Sequence, residues 1–394
     1  MRAPAWLRSL RDMNDGLRVR RPDYSIFVLV VLLSLFGLVM VFSASYYTYA
    51  LKEKVTGVYV IVKQGRMLVM GLAAMLITMQ VPYHFYSRWR FLNMPFISLV
   101  AVGVSALFLI IVLFTGADTN GAKRWLEIGP LSFQPSEVAR FAMILFVGNE
   151  FARKREDLVQ RKDFVRFAAA FAPSLLAAGI LCGLILAGRN LSMTAATGLT
   201  FLCMCIAAGI NWRFMGVMGL VALGMGVLFT LTESYRVKRL LVFMDPFEDA
   251  MGNGYQVVQS LYALGNGGLT GVGLGNSTQK YLYLTYGDSD FIYAIIGEET
   301  GFIGICVLLA VYALLIIRGL HTAWYAADTE GLMLSVGVIS AIAIQLLINV
   351  AVCTSSMPPT GVPLPFISSG GSSMVIFMGE AGILLNVSRY TRAR

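Results

Sequence analysis

The feature that most limits this chain is a succession of apolar runs, each long enough to cross a bilayer. A membrane-spanning helix needs about 20 predominantly apolar residues. Runs of that order stand at 24–42, 65–80, 92–114, 136–151, 167–187, 191–209, 213–231, 295–318, 331–352 and 372–388. In lipid every backbone polar group must be satisfied within the segment, so such runs fold as helices. The expectation is an all-α, polytopic integral membrane protein of ten spans. Composition agrees: 57% of the residues are hydrophobic and 13% charged, whereas soluble domains carry about 25% charged residues.

An even number of spans puts both termini on one side. Arg2, Arg8, Arg11, Arg18, Arg20 and Arg21 before the first run, and Arg389, Arg392 and Arg394 after the last, assign that side to the cytoplasm. The first run exceeds the 7–15 residues of a signal-peptide core and reads as an uncleaved span. Loop 152–166, with Arg153, Lys154, Arg155, Arg161, Lys162 and Arg166, falls inside by the same count. The chain thus divides into a basic cytoplasmic tail (1–23), one transmembrane domain (24–388) and a short basic tail (389–394). Charge sorting by side, not a nucleic-acid stripe, accounts for the net charge of +9. The partners this implies are membrane lipids and not nucleic acid. The five cysteines fall in or beside apolar runs and read as packing residues, and two histidines offer little for a His-based metal site.

The longest interruption is 231–304, including a large outer loop at 232–290. It holds Arg236, Lys238, Arg239, Lys280, Asp288, Asp290, Glu298 and Glu299. Asp290 precedes an apolar run, where an acid can cap a helix or face a cavity as a reactive group. Arg236 and Arg239 can snorkel to headgroups or contact a phosphorylated substrate, and the same alternatives hold for Lys123 and Arg124. Gly267-Gly268 and Gly271-x-Gly273-x-Gly275 could cradle phosphate, but without a Walker lysine they read as flexible turns.

Within the spans, Glu137 and Arg140 share a helix face at a spacing of three. They are read either as a structural ion pair or as support beside a site. Gln345 and Asn349 suit interhelical hydrogen bonds. Glu380 has no local partner and needs a tertiary one, or must stay neutral. The uncharged segment 358–373 carries four prolines and then Ser368, Gly370 and Gly371, and reads as re-entrant or cavity-lining. The helix after it offers an N-terminus to an anion.

Several of these residues fall in motifs. They are Gly121-Ala122-x-Arg124-Trp125, Gln134-Pro135-Ser136-Glu137, Tyr255-Gln256 with Gln259-Ser260, Gly267-Gly268-x-x-Gly271-x-Gly273 and Gln279-Lys280. Asp290-Phe291-Ile292, Gly297-Glu298-Glu299, Gly301-Phe302-Ile303-Gly304 and Leu364-Pro365-Phe366-Ile367-Ser368 with Gly370-Gly371-Ser372 follow. Together and in this order they resemble the SEDS family of bacterial cell-wall proteins (RodA, FtsW, SpoVE), over roughly 23–390. The stretch 271–277 looks more like the FtsW and SpoVE branch. Two stretches depart from the family's pattern. Leu284-Thr285-Tyr286 stands where Leu-Pro-Glu is usual, followed by an extra acid, Asp288, and Gly188-Arg189 replaces an acid-Pro pair.

The resemblance implies a ten-span peptidoglycan glycosyltransferase in the bacterial cytoplasmic membrane. It would polymerise lipid II into glycan strands on the outer face, beside a class B penicillin-binding protein that cross-links them. The family aspartate maps onto Asp290, which would be the general base on a sugar hydroxyl. The leaving diphosphate needs cations or oriented amides. Arg124, Arg236, Arg239 and Lys280 are the candidates, with Lys123, Ser368, Gly370 and Gly371 beside them and Glu137, Arg140 and Glu298 in support. A divalent cation, Mg or Mn, held by carboxylates could share that task. The alternative is a flippase for lipid-linked precursors, which would be expected to carry charges along a path through the spans.

Overall fold

The computed structural model describes residues 21–48, 57–91, 94–119, 122–128, 131–159, 164–231, 239, 242–252 and 254–390. Ten long helices account for the ten expected runs. They are α1 (Tyr24–Thr48), α2 (Gly57–Gln80), α4 (Phe96–Thr115), α5 (Pro135–Arg153), α7 (Phe164–Ala187), α8 (Leu191–Ala208), α9 (Trp212–Leu231), α11 (Ile292–Trp324), α12 (Thr329–Cys353) and α13 (Gly371–Ser388). Shorter helices are α3 (Phe85–Arg88), α6 (Arg155–Val159) and α10 (Tyr255–Gly267). Local signals set several boundaries. Pro135 occupies the first turn of α5, the Asn190 side chain caps Met193 N–H, and Asp328 caps Gly331 N–H at 2.8 Å.

Nine of these helices are, among the described residues, long and apolar enough to cross a membrane. The tenth, α5, is not apolar enough because it carries Glu137, Arg140, Asn149 and Glu150. It is almost wholly buried by neighbouring helices, so protein rather than lipid solvates it. The protein is therefore membrane-integral, with α5 and α13 inside the bundle and α9 outside it. None of α9's apolar window is buried, against 83% of α13's.

Of the two readings left open for Glu137 and Arg140, the ion pair that Arg140 makes is not a local one but runs to another helix. Arg140 Nη2 lies 3.1 Å from Glu380 Oε1 on α13, its Nη1 donates to Gln345 Oε1 on α12, and the guanidinium sits 4.4 Å from the Phe377 ring centroid. Arg140 and Glu380 are fully buried. A buried charge needs a partner and hydrogen bonds, and here each supplies the other's, which answers the question Glu380 posed. Glu137 meets Ser372 Oγ at 3.5 Å instead, in the first turn of α13. The carboxylate itself takes up that positive helix end.

Between the third and fourth runs stands a small antiparallel sheet: β3 (Ala117–Thr119), β4 (Ala122–Ile128) and β5 (Leu131–Phe133), with Ala117 opposite Trp125 and Leu126 opposite Phe133. A two-residue hairpin, β1 (Arg90–Phe91) and β2 (Met94–Pro95), precedes α4.

The glycine-rich stretch after α10 is not a set of flexible turns. Helix α11 breaks at Gly301 (φ 70°, ψ −172°), which frees backbone groups that need partners. The glycine segment supplies them. Val272 N–H and Gly273 N–H donate to the carbonyls of Glu298 and Glu299 at 3.0 and 3.1 Å. Phe302 N–H and Ile303 N–H donate back to Gly268 and Leu269 at 2.9 and 3.1 Å. Gly271, at φ 82°, lies so close that a Cβ would stand 2.2 Å from the Glu299 carbonyl oxygen. Both glycines meet a positive φ and a backbone contact, which no larger residue satisfies.

Candidate active site

Asp290 lies where the long loop after α9 turns into α11. The cap position of α11 is Phe291 and receives no side-chain hydrogen bond, so the capping alternative for Asp290 is set aside. Backbone bonds fold 284–291 into consecutive turns, with Gly287 N–H on Leu284 O and Phe291 N–H on Tyr286 O. Helix α12 and the segment 358–373 then hold these turns. Asn349 donates to the carbonyls of Asp290 and Val362, both at 2.8 Å. Ser368 Oγ donates to Ser289 O at 2.6 Å while accepting Leu364 N–H at 2.7 Å. Ser369 N–H donates to Asp288 O at 2.9 Å. The expected interhelical role of Asn349 is thus a loop-holding one, and Ser368 spends its hydroxyl on the Asp290 turn.

The Asp290 carboxyl is pushed up to about 7. Burial is the largest cause and the neighbouring Asp288 charge adds to it, while Arg124 and Arg239 pull the other way. Asp288 is raised too, first by burial, against its own backbone N–H, the Lys63 charge and Ser369. Two half-buried acids two residues apart therefore share a site with cations from three elements. Arg124 comes from β4 and donates to Arg189 O at 2.5 Å. Arg239 donates to Pro359 O at 3.0 Å, on the proline segment. Gly361 completes the wall: a Cβ there would lie 3.1 Å from Asp290 Oδ2.

The other expected residues sit elsewhere. Lys280 is buried against Glu299, Nζ to Oε1 3.4 Å, with Gly275 O and Ser43 Oγ also in reach. It is not among the charges that shift Asp290. Glu298 gathers the loop before Lys280 by accepting from Ser277 Oγ, Thr278 Oγ (2.7 Å), Thr278 N–H (3.2 Å) and Gln279 N–H (3.3 Å). Gly371 packs on Met67, 2.9 Å from its Cε to a Cβ built there, and Gly370 lies against Ser373 and Pro363. Lys123 lies in β4, paired with Asp118. Arg236 and Lys238 lie outside the described residues. Among the described residues no cluster of three or more His, Cys, Asp or Glu is placed for a metal. Asp288 and Asp290 are the pair that a divalent ion would share with a diphosphate.

The family described as "Cell cycle protein", comprising FtsW, RodA and SpoVE, matches residues 23–393. The chain belongs to this FtsW/RodA/SpoVE family. Among its relatives is the "probable peptidoglycan glycosyltransferase FtsW" of Geobacter metallireducens, 35% identical, covering 94% of this chain and 95% of that protein. "Stage V sporulation protein E" of Bacillus subtilis is 36% identical over 94% and 98% of the two chains. "Peptidoglycan glycosyltransferase MrdB" of Escherichia coli is 31% identical over 94% of each. Solved structures share the fold. One describes "structural coordination of polymerization and crosslinking by a peptidoglycan synthase complex", with a TM-score of 0.72 at 24% identity over 93% of this chain and 98% of that one. Thermus thermophilus RodA gives 0.67 at 22% identity over 95% and 98%.

Sequence reasoning missed two features of the candidate site. Lys63 is an exposed lysine on α2 like any other until Asp288 is found within its field. Gly361 stands in a proline-rich run that explains a glycine by itself.

Proposed function

We propose that the chain is a peptidoglycan glycosyltransferase. It joins lipid II units into glycan strands at the outer face of the cytoplasmic membrane, with both termini in the cytoplasm. The observation that carries this reading is the seat of Asp290: its backbone is held by Asn349 at 2.8 Å, its carboxylate faces Gly361, and burial raises the carboxyl to about 7 within the fields of Arg124 and Arg239. A base poised near the working pH is the efficient one. Asp290 takes the proton from the acceptor sugar hydroxyl as its oxygen bonds to the donor's anomeric carbon. The bond from that carbon to the diphosphate breaks, and the diphosphate leaves on its lipid. Arg124 and Arg239 stabilise the charge that gathers there. Arg236, Lys238 and Lys123 stand as further cations along the same loops, and Asp288 keeps Asp290 protonatable. Serving a single transmembrane domain, 24–388, this outer site would hand its product to a class B penicillin-binding protein.

The buried interior supports the enzyme over the flippase. Arg140 and Glu380 pair with each other at zero exposure, so they line no open path for a charged headgroup. The test is to reconstitute the full chain with its transpeptidase partner and supply lipid II. Glycan strands from wild type and none from Asp290→Ala are expected. Polymer from Asp290→Ala removes the base, and lipid II crossing liposomes without polymer establishes the flippase.

A further inference from the structure

At the end of the bundle away from Asp290 lies a cavity of about 310 Å³, lined by Ser87, Arg90, Asn149, Arg153, Asp328 and Glu330 among others. Helix α12 measures the separation. Asn349 touches the Asp290 backbone and Glu330 is in its first turn, so the two sites are roughly 30 Å apart at 1.5 Å per residue. That is about the thickness of a bilayer's hydrocarbon core. The cavity therefore opens at the opposite membrane interface.

Its chemistry is mixed. Asp328 is already committed: one oxygen caps Gly331 N–H at 2.8 Å and the other holds His84 Nε2 at 2.6 Å and Tyr83 OH at 2.9 Å. Glu330 uses one oxygen for Ser87 Oγ at 2.9 Å, and its Oε1 has no partner among the described residues. Asn149 is only 4% exposed. Its Nδ2 donates to Ser98 Oγ at 2.7 Å, and its Oδ1 is likewise without a partner. Two buried, unpartnered acceptors on residues that line one cavity are satisfied by a ligand that donates. Arg90 brings the opposite charge to the same space. It also belongs to a second, adjoining hollow walled by Arg88, Trp89, Phe91 and Phe96, whose aromatic rings are 62, 55 and 40% exposed. Exposed aromatics with arginines are the composition of a membrane interface.

We propose that this cavity binds the zwitterionic headgroup of an aminophospholipid. Glu330 Oε1 and Asn149 Oδ1 accept from the ammonium, Arg90 holds the phosphate, and the acyl chains leave over Trp89, Phe91 and Phe96. A primary ammonium is singled out because it has three N–H donors, whereas a choline headgroup has none and a glycerol headgroup no charge to offer Glu330. The occupied site ties the β1–β2 hairpin to the ends of α5 and α12. The inference does not depend on the role of Asp290.

The experiment is native mass spectrometry of the full chain in detergent. The probes are phosphatidylethanolamine, phosphatidylcholine and phosphatidylglycerol of matched acyl chains, and soluble phosphoethanolamine. Phosphatidylethanolamine is expected to be retained about tenfold better than the other two lipids, the size of a charge-assisted hydrogen bond, and better than the soluble headgroup. Glu330→Gln and Asn149→Leu should each remove that preference, leaving phosphatidylglycerol adducts unchanged. Equal retention of ethanolamine and choline lipids, or an unaltered preference in the variants, overturns the proposal. Soluble phosphoethanolamine binding as well as the lipid overturns the membrane origin of the ligand. Arg90→Gln, on the exposed hairpin, covers the case in which a buried substitution unfolds the chain. It should lower phosphatidylethanolamine retention, and wild-type retention counts against the site.

Discussion

Gly361 stands against Asp290 with no space between them, a Cβ at the glycine falling 3.1 Å from the aspartate's Oδ2. Gly361 is not among the positive-φ glycines, so alanine suits its backbone and the consequence falls on the carboxylate alone. Gly361→Ala should lower kcat by up to about 10-fold, because the carboxylate must give way by a few tenths of an ångström, less than the full ångström that costs about 100-fold. Thermal unfolding should stay near wild type. Steady-state polymerisation beside a melting curve checks both.

The raised Asp290 carboxyl sets a pH dependence with a definite sign. Activity needs the ionised form, so kcat/KM should fall as pH drops below about 7. Stability runs the other way. The folded state binds this proton more tightly than the unfolded chain, so the Asp290 contribution is fully present below the ordinary aspartate range and is lost as pH rises through about 7. Asp290→Asn should be inactive yet flatten that part of the stability–pH curve, read by unfolding at pH 5 and pH 8.

Arg140 and Glu380 form a fully buried pair at 3.1 Å. Arg140→Ala should cost about 3–5 kcal/mol, because an unpaired carboxylate stays behind. Arg140→Met with Glu380→Met should recover most of it. Denaturant titration of the two variants in detergent compares them, and equal losses would deny the pairing.

Lys280 and Glu299 allow the two roles of the lysine to be separated. If Lys280 serves Glu299, at 3.4 Å, then Lys280→Met is damaging and Lys280→Met/Glu299→Gln restores both stability and polymerisation. If it serves the diphosphate, the double variant folds but stays inactive. A double-mutant cycle on kcat and on unfolding reads the difference.

Much of the scaffold was legible because hydropathy acts locally. All ten apolar runs became helices. Helix ends were less so: α2 begins at Gly57, well before the apolar run at 65, because Lys63, Gln64 and Arg66 interrupt the hydropathy without interrupting the helix. Asp290 was legible through the motif it begins. What held it was not, since Asn349, Ser368 and Arg239 act through carbonyls far along the chain. The Glu137–Arg140 spacing left a local pair or a supporting role open and gave no sign of Glu380, 240 positions further on, which Arg140 pairs with. The glycines of 267–275 read as turns because composition reports freedom and not the broken helix that uses it.

The Arg140–Glu380 contact joins residues 240 positions apart, and this bears on how the chain is made. A helix carrying Glu137, Arg140 and Glu150 is a poor guest for lipid by itself. When α5 leaves the ribosome, the counter-charge for its arginine has not yet been synthesised. For most of translation, then, α5 must wait in a protein-lined or hydrated shelter, and its final seat forms only when the last helix arrives. A chain that stops short of residue 380 would expose that arginine, a mark by which the cell could tell an unfinished protein from a finished one.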